Sequence, residues 1–160
     1  MALRLRGGGF NFADVSNVSN VRKRKFSHDA PPGRTVSRGT NVECKCACTP
    51  NYRVICEKGF GLMELSEARL CCPNCNKSNK VTPVTVGFVR CKYRFHGIKE
   101  NDEQYTSEWK EVKRDDFYQV FDPSKQSKWR RLVIESASLD ASEECAICLE
   151  RMEKKSKALG

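Results

Sequence analysis

The sequence lacks any apolar run long enough to cross a membrane, and none near its start resembles a secretory signal. No membrane partner is expected. The chain reads as cytoplasmic or nuclear, where thiols are kept reduced. Apolar residues are also scarce, at 39% against 31% charged, below the roughly 45–50% of ordinary globular domains. That is too little to fill a core of the full 160 residues, so a folded part of about 90–100 residues is expected. Histidine is nearly absent: His28 falls in a coil-like stretch, and His96 beside Gly97 reads as a strand-edge residue rather than a ligand. No serine–histidine–acid set is visible, and the stretch Arg6 to Phe10 lacks the lysine and spacing of a phosphate-binding loop. No catalysis is expected from the chain itself.

What is abundant is cysteine, ten residues in a short chain, and positive charge, a net +9. The cysteines cluster as Cys44-x-Cys46-x-Cys48, as Cys71-Cys72-Pro73-Asn74-Cys75, and as Cys145-x-x-Cys148. In a reduced compartment such spacings suit a metal knuckle better than a disulfide framework. Structural zinc takes four ligands in a tetrahedron, usually from two short knuckles. Cys72 and Cys75 make a tight one, with Pro73 stiffening the turn. The preferred quartet is Cys44, Cys48, Cys72 and Cys75. Cys46 is a substitute for either upstream partner and Cys71 for Cys72, a register the spacing leaves open. Cys56 and Cys91 read as small buried apolar residues. With so little core, removal of zinc is expected to unfold residues 41–136.

Along the chain, residues 9–40 read as a basic flexible arm of turn and coil formers, including the run Val21 to Phe26 with its four basic residues. From Asn41 the texture becomes strand-like. The alternation over residues 84–95 predicts two strands forming a hairpin or meander bent near Gly87. Gly61 to Leu70 reads either as one or two helical turns or as a loop between knuckles. Residues 137–160 read as a linker and tail. The fold class expected is a small β-rich (α+β) zinc-binding domain, zinc-ribbon-like, over residues 41–136, with flexible arms on both sides.

Two further motifs point to one cellular system. Leu3 to Gly8, LRLRGG, is identical to the C-terminal tail of ubiquitin, and it is followed by GFNFADVSN, CPNCNK, GFVRCKYRFHG, SEWK and WRRLVIE. This order resembles ubiquitin-fusion proteins of eukaryotic microbes, in which ubiquitin runs directly into a cysteine-rich module. The resemblance implies a deubiquitinating protease as a partner, cutting after Gly8 when a ubiquitin body precedes residues 1–8. Gly7 and Gly8 let the backbone pass a channel that would exclude side chains. At the other end, Cys145-Ala146-Ile147-Cys148 is similar to the opening of a RING finger. That likeness implies an incomplete RING zinc site at Cys145 and Cys148, with Ile147 contacting a ubiquitin-conjugating enzyme. On this reading the chain is a slice of a longer RING-type ubiquitin-protein ligase fused to ubiquitin. The alternative is a basic zinc-ribbon protein binding RNA or DNA, with Tyr93 and Phe95 stacking on bases beside Arg94.

Overall fold

The computed structural model describes residues 9–78, 81–114, 116–140 and 156–159. Within them the chain is almost entirely β-structure, in two antiparallel sheets and one added strand pair. The first sheet is built on two long neighbours, β8 (Cys91–Lys99) and β12 (Gln126–Ala137). Two short strands share the outer edge of β12: β1 (Phe10–Ala13) at one end and β6 (Gly61–Glu64) at the other. The free edge of β8 is divided likewise between β9 (Gln104–Thr106) and β10 (Lys110–Val112). The second sheet runs in the order β2 (Val21–Lys25), β11 (Phe117–Phe121), β7 (Val81–Val89), β4 (Gly39–Cys46), β5 (Val54–Gly59).

The sheets face each other over an aromatic core. Alternation along β8 turns Cys91, Tyr93 and Phe95 inward and leaves Lys92, Arg94 and His96 outward. Tyr93 stacks on Phe88 of β7 with ring centroids 3.9 Å apart, and Phe95 meets Phe121 of β11 edge-on at 5.5 Å. Trp129 closes one end, its indole N–H donating to the Ala13 carbonyl at 3.2 Å. The far face of the second sheet is covered too. There β3 (Thr35–Ser37) pairs with β13 (Ser156–Ala158) over a smaller core of Val36, Ile55, Tyr118, Val120 and Leu159. With both faces buried, β4 is enclosed along nearly its whole length.

Four expectations change, the first in the expected flexible tail of residues 137–160, where β13 pairs with β3 and Leu159 is fully buried. Residues 9–40 are not a flexible arm: β1 pairs with β12, β2 pairs with β11, and Phe12, Val15 and Val36 are fully buried. Their apolar residues are spaced singly among Asn, Ser and Gly, so each strand has too few to display a period. The body therefore exceeds a zinc ribbon over residues 41–136. The strands of residues 81–99 do not form a hairpin with each other. The chain turns at Arg90, whose φ is +34°, and β7 and β8 enter opposite sheets. Gly87 lies within β7, where the ring of Tyr118 occupies the space a side chain would need. The Gly61 to Leu70 stretch is β6 followed by a single 3-10 turn, Leu65–Glu67.

Candidate metal centre

The end of β4 and the turn of residues 71–77 meet at one corner of the second sheet. β4 stops at Cys46, where the Thr49 N–H donates to the Cys46 carbonyl at 3.1 Å and curls the chain so that Cys48 faces back. Across from it, the Asn76 N–H donates to the Cys72 carbonyl at 2.8 Å, and Asn76 takes a left-handed φ of 61°. Asparagine tolerates that conformation better than most residues. The knuckle is braced from outside: the Asn74 side-chain amide donates to the Pro32 carbonyl at 3.0 Å, which also accepts from the Tyr52 hydroxyl at 2.9 Å.

These two turns bring together the thiols of Cys46, Cys48, Cys72 and Cys75, all within 4.8 Å of one another. The Cys46 and Cys75 sulfurs are 3.6 Å apart and those of Cys48 and Cys72 are 3.5 Å apart. With metal–sulfur bonds of about 2.3 Å, sulfurs in a tetrahedral site lie about 3.8 Å apart, so the spacing fits one ion. Four thiolates fill a tetrahedral shell, and such a site is structural rather than catalytic. Backbone dipoles favour the thiolate at Cys72. Burial raises its pKa, but the N–H groups of Cys75 and Asn74 and the neighbouring thiols outweigh this and hold it below the ordinary thiol range. The Asn74 N–H reaches the Cys72 sulfur at 3.4 Å. Cys48 is pushed up to about 12, first by desolvation and then by hydrogen bonds with Cys46, Cys72 and Cys75.

Of the preferred quartet, Cys48, Cys72 and Cys75 come together here, and Cys46 stands where Cys44 was expected. Cys44 lies one pleat further back on β4, fully buried, with its sulfur 3.8 Å from that of Cys56. Its pKa is raised, first by the hydrogen bond with Cys56 and then by burial. Cys71 points to solvent, although its carbonyl accepts from the Cys56 thiol at 3.1 Å. Cys91 packs in the aromatic core, where burial raises its pKa to about 12. His96 stands on the outer face of the first sheet, its Nδ1 paired with the Thr106 hydroxyl at 2.9 Å, and His28 is exposed. The contact of Cys44 with Cys56 follows from the β4–β5 register, which the sequence does not display.

Gly7, Gly8, Cys145, Ile147 and Cys148 lie outside the described residues. Tyr93 and Phe95, expected to stack on bases, are each 1% exposed and belong to the core, which leaves Arg94 alone of the three at the surface. Among the described residues no helix is long and apolar enough to cross a membrane. No protein-family model, curated protein or solved structure matches the chain.

Proposed function

We propose that the chain is a zinc-binding module of a ubiquitin-system protein, its zinc held by Cys46, Cys48, Cys72 and Cys75. The observation that carries the metal reading is the convergence of four thiols from two turns within 4.8 Å. Zinc is the choice because an all-sulfur, redox-inert tetrahedral site suits it and gives the corner of the sheet a fixed cross-link. The ubiquitin reading rests on sequence, on LRLRGG at residues 3–8 and CAIC at residues 145–148. Together these support a role as part of a RING-type ubiquitin-protein ligase fused to ubiquitin. The module would be the rigid body between a processing site after Gly8 and the Ile147 knuckle. The nucleic-acid alternative keeps its positive charge but loses the Tyr93 and Phe95 faces to the core.

Two measurements test the two halves separately. Zinc content of the purified chain should be one ion per molecule, and the cobalt-substituted protein should show a tetrahedral thiolate spectrum. An octahedral cobalt spectrum, or no bound metal, would remove the zinc reading. For the other half, a fusion that restores a ubiquitin body ahead of Leu3 should be cut between Gly8 and Gly9 by a deubiquitinating protease. A fusion left intact by proteases that process a control fusion with a flexible linker would count against it.

A further inference from the structure

The far face of the second sheet is closed by a strand from a remote part of the sequence. β3 and β13 pair antiparallel as a sheet of their own, Ser37 with Ser156 and Thr35 with Ala158. Just past that ladder the Leu159 N–H donates to the Arg34 carbonyl at 2.8 Å, and Leu159 also bridges Phe26. The Leu159 side chain is fully buried, in one cluster with Val36, Ile55, Val89, Tyr118 and Val120. This is how an added peptide strand is held: main-chain bonds along one edge and an apolar side chain in a socket.

The floor of this groove does not depend on its occupant. β3 lies against β4 and β5 and is tied to them by bonds in which β13 has no share. The Ile55 N–H donates to the Gly33 carbonyl at 2.8 Å. The Asn41 side chain accepts from the Ser37 N–H at 3.1 Å and donates to the Ser37 carbonyl at 2.8 Å. Arg34 is anchored on Glu43. Of the socket residues, Ile55, Val89, Tyr118 and Val120 belong to β5, β7 and β11 of the second sheet itself. The occupant has no such support. β13 is three residues long, and among the described residues its strand partner is β3, with the Phe26 bridge beyond it. Two-stranded pairs are marginal by themselves. A preorganised edge with a weakly held occupant is one for which another strand can compete.

We propose that the edge of β3 and the Leu159 socket form a strand-addition site for an extended peptide of a partner protein, with residues 156–159 as its built-in competitor. The occupant sets the peptide class: an extended backbone that bonds to the edge of β3, and one leucine-type side chain for the socket. Charge does not set it, since Glu153 to Gly160 carries three lysines against one glutamate while the chain is itself net +9. Residues 156–159 compete as an intramolecular ligand, so a partner has to displace them. The site depends on neither the metal nor the ubiquitin reading.

The test uses the full chain and, as probe, a fluorescein-labelled peptide of residues 153–160, read by anisotropy. The parent, its groove filled, is expected to bind the probe at least about tenfold more weakly than Leu159→Asp, whose own strand cannot refill the socket. A probe that itself carries Leu159→Asp should bind neither chain. Equal binding to parent and variant, no binding to either, or equal binding of the altered probe overturns the proposal. A parent that is dimeric and becomes monomeric in Leu159→Asp would assign the groove to a second copy and overturn it as well. Hydrogen exchange of the parent decides the matter even if the variant folds poorly. Excess unlabelled peptide, by occupying the groove, should speed exchange at the Leu159 amide and leave β8 and β12 unchanged. A Leu159 amide that exchanges no faster than those strands, with or without peptide, would make β13 part of the cooperative core and sink the idea.

Discussion

The sulfur of Cys46, the last residue of β4, lies 3.6 Å from the sulfur of Cys75. This contact joins the end of a strand buried on both faces to a turn reached only after β5, β6 and a 3-10 turn. Beside the sulfurs, that turn is held by the Asn74 amide on the Pro32 carbonyl and the Cys56 thiol on the Cys71 carbonyl, so a metal there would fix the corner rather than the whole body. Cys46 and Cys72 belong to the same buried cluster as the aromatic residues between the sheets, but those residues, Trp129 and Tyr93 among them, are not ligands and pack on one another.

Chelation is therefore expected to loosen the corner and leave the sheets standing, a narrower effect than unfolding of residues 41–136. Hydrogen exchange after metal removal should rise at Cys48, Cys72 and Asn76, while β8 and β12 keep their protection. Cys72→Ser should abolish metal binding; Cys71→Ser should leave it intact, since Cys71 points away. A wholly exchanged backbone in the metal-free protein would show that the core is not self-sufficient.

Much of this site was legible in the cysteine spacing, and the part that was not has a plain cause. Residues two apart on a strand face the same way, so alternation cannot choose between Cys44 and Cys46. The choice is made by where β4 ends, which depends on the Thr49 turn. The same limit applies to β7 and β8. Their period is visible in the sequence, but Arg90 sends them to different sheets, and nothing local to residues 84–95 records that. The strand of residues 10–13 was hidden by its length, since four residues cannot establish a period.

The second face of β4 carries a buried charge that makes a sharper prediction. Glu43 is 1% exposed and accepts from the Arg53 Nε at 2.9 Å and the Arg34 guanidinium at 3.3 Å. Arg34 is itself buried, and its guanidinium also donates to the Arg53 carbonyl at 3.0 Å. Glu43→Ala would strand that cation and should cost about 3–5 kcal/mol in urea unfolding. Arg53→Ala, which removes the more exposed partner, should cost less than half as much. Equal losses would mean that Arg34 finds another counter-charge.

Gly87 and Tyr118 form a matched pair. A Cβ on Gly87 would overlap the Tyr118 ring, so Gly87→Ala should destabilise by about 1–3 kcal/mol or more. Among the described residues no atom meets hydrogen-bond geometry with the buried Tyr118 hydroxyl, although the Glu43 carboxylate lies near enough to act on it. Removing it in Tyr118→Phe should leave stability unchanged or raise it by about 1 kcal/mol, because an unpaired buried hydroxyl costs more than it contributes. A clear loss of stability in Tyr118→Phe would show that the hydroxyl is paired in solution.

Alkaline titration reads the same core from another side. Of the four tyrosines, Tyr93 is raised to about 12 by burial, Tyr105 is raised chiefly by burial, and Tyr118 is held well above 10 by burial and then by the Glu43 carboxylate. In the unfolded chain all of them ionise near the ordinary value of about 10. Above that pH the folded chain holds protons that the unfolded chain has released, so stability falls with rising pH. The contribution is complete below about 10 and is lost as pH climbs towards and past about 12. Tyrosinate absorbance should therefore rise late and together with loss of the β-sheet circular dichroism. If all four tyrosines ionised near 10 while the sheets stayed intact, Tyr93 and Tyr118 could not be enclosed between and behind them.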